Sequence, residues 1–256
     1  MANLDGLNPE QREAAETIHG PLLILAGAGT GKTRTITYRV AHMIDQGISP
    51  RHILAVTFTN KAAREMQQRA AKLIPNPPKR DDGKPLKPTI CTFHSLCVRI
   101  LRRHIEKLGY KRNFVIYNES EQLGVVKKIL SAISGKDVKA DPRELHGLLS
   151  RLKNAGSNGN VFGDEDTLAM ADHIRKRYDT ALKAANAVDF DDLLVLTLKL
   201  FNEHPEALEE CRARYQYVMV DEYQDTNATQ FELMRMLGAE HRNVCVVGDD
   251  DQSIYG

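Results

Sequence analysis

Residues 21–33 read PLLILAGAGTGKT, and this stretch decides the fold of the chain. Its apolar start has the length and composition of a buried β-strand. Glycines at alternate positions follow, and they let successive backbone N–H groups turn inward around an anion. Lys32 and Thr33 then open a segment with helical spacing. A strand, a glycine-rich turn and a helix in this order predict a phosphate-binding P-loop.

Each P-loop position has an expected task. Lys32 reaches the β- and γ-phosphates of a nucleotide, and the Thr33 hydroxyl takes a Mg²⁺ position. The first position is Ala26 instead of glycine, and a small residue is enough where the strand ends. The predicted phosphate-binding set is Ala26, Gly27, Ala28, Gly29, Thr30, Gly31, Lys32 and Thr33. The competing interpretation is an ordinary glycine-rich turn with a chance lysine.

A second apolar run, residues 217–220, ends in Asp221 and Glu222. Two carboxylates at a strand tip suit Mg²⁺-dependent phosphoryl chemistry, in which Asp221 holds Mg²⁺ through its water shell and Glu222 orients and deprotonates water. Taken alone, such a cluster is more often a solvated turn or a helix N-cap. Because a P-loop lies earlier in the chain, we favour the Mg²⁺ site over a solvated turn or a helix N-cap. A third apolar run, residues 244–247, leads to Gln252, a candidate sensor of the γ-phosphate.

These motifs together resemble one family. AGAGTGKT (26–33), VDEYQDTN (220–227) and VVGDDDQSIYG (246–256) are similar to motifs I, II and III of the UvrD/PcrA/Rep-like superfamily 1 DNA helicases. Further segments agree in order and spacing, namely LNPEQREAA (7–15) with the adenine-reading Q motif, AVTFTNKAAREM (55–66) with motif Ia, TFHSL (92–96) with motif Ib, and VDFDDLL (188–194). The resemblance covers nearly the whole chain and is thin between residues 109 and 187.

The resemblance implies an ATP-dependent DNA helicase or translocase that uses ATP and Mg²⁺ and runs 3′ to 5′ on single-stranded DNA. It makes Gln11 the adenine-reading residue and places Arg34 near the base or sugar. Gln224, Asp225 and Gln252 would couple the γ-phosphate to the grip on DNA. The DNA contacts that the resemblance implies are Phe58, Thr59, Asn60, Lys61, Thr92, His94 and Tyr255.

An aromatic ring beside hydroxyl, amide and ammonium donors suits stacking on bases and gripping a single-stranded backbone. A lone phenylalanine at the end of a strand is nevertheless usually part of the hydrophobic core, so the stacking role of Phe58 depends on the match to motif Ia. His94 is equally compatible with a structural histidine whose ring is hydrogen-bonded within the protein. Tyr255 could simply be exposed.

The order of the apolar runs predicts the fold class, an α/β, RecA-like P-loop NTPase parallel sheet flanked by helices. Runs that read as buried parallel strands lie at 22–25, 53–58, 89–92, 217–220 and 244–247. Helical spacing lies between them at 33–43, 61–73 and 229–237. The key motifs follow the carboxyl ends of strands, where such sheets bind their ligands.

Residues 95–205 interrupt this alternation and predict an inserted, all-helical subdomain. The ATP-binding motor domain is therefore expected to be discontinuous, made of residues 1–94 and 206–256. Residues 153–167, rich in glycine and asparagine, predict a mobile link within the insertion. The resemblance places such an insertion beside the duplex junction and the emerging single strand.

Charge is distributed unevenly although the formal net charge is only +1. Residues 61–112 carry fourteen Lys and Arg against four acids, a net of +10, whereas residues 221–256 carry eight acids against two arginines, a net of −6. The basic part is expected to meet nucleic-acid phosphates, and the acidic part suits a metal edge. A solvated charged face is the alternative for the basic part.

The remaining features bound the class of protein. The N-terminal MANLDGLNPEQ lacks a basic region followed by an apolar one, so we expect a cytoplasmic protein. The four cysteines have no ligand-like spacing, so we predict reduced core thiols without zinc or a disulfide.

The resemblance implies that a second motor domain with motifs IV to VI follows in relatives, and its arginines complete ATP hydrolysis. We therefore expect this chain to bind MgATP but to turn it over slowly. Two other function classes stay open. One is a nucleotide-dependent single-stranded DNA binding module without motor action, and the other is the helicase half of a helicase-nuclease.

Overall fold

The computed structural model describes residues 3–27, 29–133, 141–154 and 165–249, without the side chains of 165–170. The strands are β1 (Leu22–Leu25), β2 (Ile53–Thr57), β3 (Thr89–Thr92), β4 (Val115–Ile116), β5 (Ala187–Val188), β6 (Tyr217–Val220) and β7 (Val244–Gly248). The helices are α1 (Pro9–Glu16), α2 (Lys32–Asp45), α3 (Asn60–Leu73), α4 (Phe93–His104), α5 (Glu119–Ile133), α6 (Pro142–Asn154), α7 (Glu165–Ala184), α8 (Phe190–Glu203), α9 (Pro205–Arg214) and α10 (Ala228–Gly238).

Five strands form a parallel sheet in the order β1-β7-β6-β2-β3. Parallel pairing brings the carboxyl ends of all five strands to one edge, and the P-loop and both acidic motifs follow strands at that edge. The α/β fold class is confirmed, and the bounds of these strands and of the helices between them lie within two residues of the predicted ones.

β1 differs from the expectation of a strand buried on both faces. It stands at one end of the sheet order, and its side chains alternate between half-buried and exposed. Leu23 and Leu25 are 59% and 62% exposed. An unbroken apolar run therefore misled the prediction here, because periodicity within one strand does not reveal its place in the sheet.

Residue contacts divide the chain into two compact units. The first takes in Met1–Leu96, Glu206–Thr226 and Leu233–Gly256, and the second Cys97–Pro205 and Asn227–Glu232. The domain bounds proposed from the sequence, 1–94 with 206–256 and 95–205, stay a prediction.

The core of the first unit lies between the sheet and helices α2 and α3. Ile36, Val40 and Met43 from α2 and Met66 from α3 are fully buried there with side chains of the central strands. Both helices therefore present a continuous apolar stripe to the sheet. This packing holds the N-terminal end of α2, and with it the P-loop, at the carboxyl edge of β1.

The second unit is mainly helical. Val126 of α5, Leu149 of α6 and Ile174 of α7 belong to one buried apolar cluster, as helical spacing predicted for α5 and α6. The unit also contains the parallel pair β4 and β5, which the sequence did not predict, because two residues are too few to show a period.

A buried polar cluster lies within the second unit, where the sequence predicted the start of a mobile link. Lys153 is 8% exposed, and its Nζ lies 2.7 Å from Asp189 Oδ2 and 2.6 Å from Asp192 Oδ1. Lys153 therefore belongs to α6 and is fixed by buried ion pairs, so the prediction that the mobile link begins at residue 153 is wrong. Residues 155–164 lie outside the described residues.

Two further observations concern the cysteines and membrane-spanning helices. Cys91, Cys97, Cys211 and Cys245 are all buried, as expected for core thiols. No helix in the described part of the chain combines the length and the apolar character needed to cross a membrane.

Candidate nucleotide-binding site and DNA interface

The P-loop connects β1 to α2 through a backbone that requires glycine. Gly29 and Gly31 have φ values of 76° and 92°, in the left-handed region that side chains other than glycine rarely adopt. The loop is closed by a hydrogen bond of 2.7 Å from Thr30 Oγ1 to the Gly27 carbonyl oxygen. Ala26 N donates to Gly248 O at 3.0 Å, which ties the start of the loop to β7.

The N-terminal end of α2 has the properties of an anion site. Gly31 is its N-cap, and among the described residues no side chain caps it. The first N–H groups of a helix lack intrahelical partners and carry partial positive charge. They are thus available to a phosphate, and the α2 dipole favours the negative charge.

Lys32 joins the P-loop to both acidic segments. Its Nζ lies 3.1 Å from Asp249 Oδ2 and 3.5 Å from Glu222 Oε2. Lys32 is 9% exposed and Asp249 is 2% exposed, so this ion pair is buried. The sequence did not single out Asp249, although its place directly after β7 was a usable signal.

Thr33 and Asp221 meet across the same site. Thr33 Oγ1 donates a 3.0 Å hydrogen bond to Asp221 Oδ2, and the Asp221 backbone N–H donates to Val56 O. Asp221 is 2% exposed. Burial raises the pKa of its carboxyl group, and the Thr33 hydrogen bond opposes this shift. The two residues predicted as Mg²⁺ ligands therefore share one location.

The donor set at this location fits Mg²⁺. No group of three or more Asp, Glu, His or Cys among the described residues has the geometry to hold a metal by itself. Mg²⁺ usually takes one or two protein oxygens and completes its shell with water and phosphate oxygens. The hydroxyl of Thr33 and the carboxylate of Asp221 offer that partial set beside the P-loop.

Glu222 has an unusual backbone. Its φ of 55° and ψ of 47° place it in the left-handed region, which costs a residue with a Cβ about 1–3 kcal/mol. Its backbone N–H donates to Asp221 Oδ1 at 3.2 Å. This conformation turns the chain sharply at the strand end and sets Glu222 Oε2 near Lys32.

Gln224 bridges the two acidic segments. Its Nε2 donates to Glu222 Oε2 at 2.8 Å, and its Oε1 accepts from the Asp249 backbone N–H at 3.1 Å. A Cβ at Gly248 would lie 3.3 Å from Gln224 Oε1. A side chain at position 248 would therefore require Gln224 to move by a few tenths of an ångström. Asp225 is exposed and lies in the short turn after Glu222.

The N-terminal segment reaches the P-loop through Gln11. Gln11 Nε2 donates to the Thr30 carbonyl oxygen at 2.7 Å. Arg34 lies farther along α2, where its Nη2 donates to Gly6 O at 2.6 Å and its guanidinium lies 5.5 Å from the Tyr38 ring centroid. Both predicted base-side residues thus border the start of α2.

The motif Ia residues follow β2. Phe58 is half-buried, and its ring packs at a tilt on Phe93 with centroids 5.5 Å apart. Thr59 Oγ1 accepts from Ala62 N at 3.1 Å and so caps α3. Asn60 and Lys61, the first residues of α3, are exposed.

The motif Ib residues lie at the end of β3 and at the start of α4. Thr92 is 6% exposed, and its hydroxyl exchanges hydrogen bonds with Ser95, donating to Oγ at 2.9 Å and accepting from the backbone N–H at 3.2 Å. His94 is half-buried in α4. The Thr92 hydroxyl is thus engaged in the first turn of α4, and the DNA role of this segment stays a prediction.

The structure brings together the predicted P-loop, Mg²⁺ and Glu222 positions, with Gln11 at the side of the loop. The motif Ia and Ib residues lie at or just after the ends of the neighbouring strands β2 and β3, at the same edge of the sheet. Ala28, Gln252 and Tyr255 lie outside the described residues.

Comparison with known proteins identifies the family of the chain. The family model of the UvrD/REP helicase N-terminal domain matches residues 7–256. The chain is 44% identical over 259 residues to ATP-dependent DNA helicase PcrA of Staphylococcus aureus strain Mu50, covering 100% of the chain and 34% of that relative. It is 46% identical over 257 residues to ATP-dependent DNA helicase PcrA of Bacillus subtilis strain 168, covering 98% of the chain and 34% of that relative.

The chain thus spans about a third of the length of these curated relatives. The resemblance inferred from the motifs is confirmed, because the family model covers all of them from the Q motif to motif III. This chain belongs to the UvrD/REP helicase N-terminal domain family.

Proposed function

We propose that this chain is the ATP-binding N-terminal part of an ATP-dependent DNA helicase that couples MgATP hydrolysis to 3′ to 5′ movement along single-stranded DNA. The observation that carries the proposal is the meeting of Lys32, Thr33, Asp221, Glu222 and Asp249 from three distant segments at one edge of the sheet. The direction of movement has its support only in the resemblance of the motifs.

Backbone N–H groups and the charge of Lys32 bind the phosphates in the proposed site. The N–H groups of the P-loop and of the first turn of α2 surround the phosphates, and Lys32 compensates their charge. Thr33 and Asp221 hold Mg²⁺, which when bound neutralises charge that develops on the phosphates. Residues 26–33 form the cradle.

The catalytic half uses Glu222. Its carboxylate orients the attacking water and accepts a proton from it. Gln224 and Lys32 hold the side chain of Glu222 in one position, which gives a fixed geometry before the reaction. By resemblance, Gln252 contacts the γ-phosphate.

Lys32 also links the P-loop to the end of β7, because it pairs with Asp249 and Glu222. A bound phosphate would compete with these carboxylates for the ammonium group, so nucleotide binding would change the contacts at the end of β7. Such differential contact is what lets a nucleotide shift a conformation, and motif III continues from Asp249 towards Gln252 and Tyr255.

The DNA-binding part of the proposal places the single strand across the ends of β2 and β3. Phe58 offers a ring for stacking, and Asn60 and Lys61 offer exposed polar groups for the phosphate backbone. Thr59, Thr92 and His94 are the other proposed DNA contacts in these two motifs. Duplex junctions are the second proposed partner, next to the insertion 95–205.

The proposed motor domain is discontinuous in the sequence. Residues 1–94 and 206–256 form the motor domain, and by resemblance to the family a second motor domain supplies arginines for hydrolysis. Loss of an arginine finger slows related NTPases about a thousandfold or more, so this chain alone is expected to hydrolyse ATP slowly. A cytoplasmic location stays a prediction of the sequence.

Single-turnover hydrolysis tests the proposal, with the chain in excess over labelled ATP and an oligothymidine added. Slow hydrolysis that needs both Lys32 and Glu222, probed with Lys32→Ala and Glu222→Gln, supports a motor half-site. Binding of MgATP with no hydrolysis at any time would favour a nucleotide-dependent DNA-binding module. Absence of MgATP binding would contradict both.

A further inference from the structure

Arg39 is a buried arginine that none of the motifs includes. It lies in α2, seven residues after Lys32, and is 2% exposed. Its Nη1 donates to Ala14 O at 2.8 Å and also to Thr17 O, and its Nη2 donates to Ile18 O at 3.0 Å. These three carbonyl groups form the C-terminal end of α1 and the residues just after it.

Such a contact has a clear physical basis. The last carbonyl groups of a helix lack intrahelical partners and carry partial negative charge. A guanidinium is a planar fork of donors that can satisfy several of them at once, whereas a lysine ammonium is a point charge. Burial lowers the pKa of Arg39 from its usual value. Arg39 therefore closes the C-terminal end of α1 with charge-assisted hydrogen bonds.

The other end of α1 touches the P-loop. Gln11 lies in its first turn, and its Nε2 donates to Thr30 O at 2.7 Å. A Cβ at Gly31 would lie 3.0 Å from the same nitrogen. Gln11 and Ala14 are three residues apart, about 4.5 Å along a helix axis. A small movement of α1 would therefore change where Gln11 meets the loop.

α1 is short and depends on tertiary contacts to hold its place. It has eight residues, and helices this short are marginal in water without tertiary support. Its apolar support is a small cluster of Leu4, Leu7 and Ala15 with Tyr38 packed against it. The Arg39 hydrogen bonds are thus the polar attachment between the end of α1 and α2.

We propose that Arg39 is a positioning residue for base recognition. It fixes α1 on α2 so that Gln11 stays beside the P-loop, and through Gln11 it sets the preference for adenine nucleotides. This inference rests on the proposed ATP-binding function and on the adenine-reading role of Gln11. Phosphate binding by Lys32 does not depend on it, because the core side of α2 packs on the sheet through Ile36 and Val40.

The test compares three ligands in the presence of Mg²⁺, namely ATP, GTP and inorganic tripolyphosphate, which lacks a base. We expect Arg39→Met to weaken ATP binding about tenfold, a difference of about 1.4 kcal/mol, to reduce the preference for ATP over GTP, and to leave tripolyphosphate affinity within about twofold. Arg39→Lys keeps the charge but loses the planar set of donors, so its ATP affinity should lie between those of Arg39→Met and the unmutated chain. If Arg39→Met does not fold, Arg39→Lys takes its place in the test.

Two further variants separate positioning from general destabilisation. Val40→Ala removes a fully buried side chain of the same helix, so it should lower stability without changing the ATP to GTP ratio. In a double-mutant cycle, Arg39→Met should add little to the loss caused by Gln11→Ala, because both act through one contact.

Equal loss of ATP and tripolyphosphate affinity in Arg39→Met would overturn the inference. An unchanged ATP to GTP ratio in Arg39→Met, with a changed ratio in Gln11→Ala, would overturn it as well. If Gln11→Ala leaves the ratio unchanged, the adenine-reading role of Gln11 is wrong and the inference falls with it. If no ligand binds to the unmutated chain, the proposed function itself has failed.

Discussion

Lys32 Nζ lies 3.1 Å from Asp249 Oδ2, although 217 residues separate them in the sequence. Both side chains are buried, and Glu222 Oε2 lies 3.5 Å from the same nitrogen. Removing one partner of a buried ion pair is costly, because the remaining charge keeps its desolvation penalty. The P-loop lysine therefore stabilises the folded protein in addition to its proposed role with phosphate.

Lys32→Ala should accordingly lower the free energy of unfolding of the nucleotide-free protein by about 2 kcal/mol. Urea denaturation followed by circular dichroism measures this change. Lys72→Ala is the matched control, since Lys72 is an exposed lysine of α3 and surface changes are usually within about 0.5 kcal/mol. Equal stability of both variants would show that the buried pair contributes nothing.

Gly31→Ala should impair the P-loop in two ways. Its φ of 92° is unfavourable for alanine, and the new Cβ would lie 3.0 Å from Gln11 Nε2. Gly20→Ala is the control, because Gly20 has a φ of 83° with no atom within 4 Å of an added Cβ. Both variants should lose about 1–2 kcal/mol of stability, but only Gly31→Ala should weaken MgATP binding, measured by fluorescence titration.

Phe58→Ala should weaken binding of a single-stranded oligonucleotide and leave MgATP binding unchanged. Base stacking on an aromatic side chain is worth about 1–3 kcal/mol, so we expect a loss of about fivefold or more in fluorescence anisotropy titrations. Phe231→Ala is the control, because Phe231 is 48% exposed and lies outside the motifs. Similar DNA affinity for Phe58→Ala and the unmutated chain would remove Phe58 from the interface.

The Lys153 cluster should make stability depend on pH. Burial raises the pKa of Asp192 to about 6; Lys153 opposes this shift and Asp189 adds to it. Between about pH 4 and 6 the folded state therefore holds a proton that the unfolded state has released. Stability that is present below pH 4 should be lost progressively as the pH rises to 6.

Carboxyl ¹³C chemical shifts measure this pKa directly, and urea unfolding at several pH values measures the stability change. Asp192→Asn is the comparison, and it should lack the fall in stability between pH 4 and 6. Titration of Asp192 near pH 4 would contradict the expectation.

Local patterns were sufficient to predict the positions of the five strands in the sequence and the position of the P-loop. The turn after β1 needs glycine for its backbone, and Asp221 ends an apolar run. Because parallel strands end at one edge, these local facts already implied that Thr33 and Asp221 lie close together. The 3.0 Å hydrogen bond from Thr33 Oγ1 to Asp221 Oδ2 agrees with that reasoning.

Contacts that depend on a distant partner could not be predicted. The place of Asp249 directly after β7 put it at the edge of the sheet, but the sequence did not show that it pairs with Lys32. Lys153 precedes a glycine-rich segment, and its burial depends on Asp189, 36 residues later. The burial of Arg39 could not be predicted either, because its partners are backbone carbonyl groups, which every residue has and which therefore leave no pattern in a sequence.

The most direct measurement is MgATP affinity, by fluorescence titration, for the unmutated chain, Lys32→Ala and Lys72→Ala, with phosphate release followed in the presence of single-stranded DNA. We expect Lys32→Ala to bind at least about tenfold more weakly than the other two proteins, with little turnover in any of them. Equal MgATP affinity in all three proteins would contradict the assignment of residues 26–33 as the phosphate site.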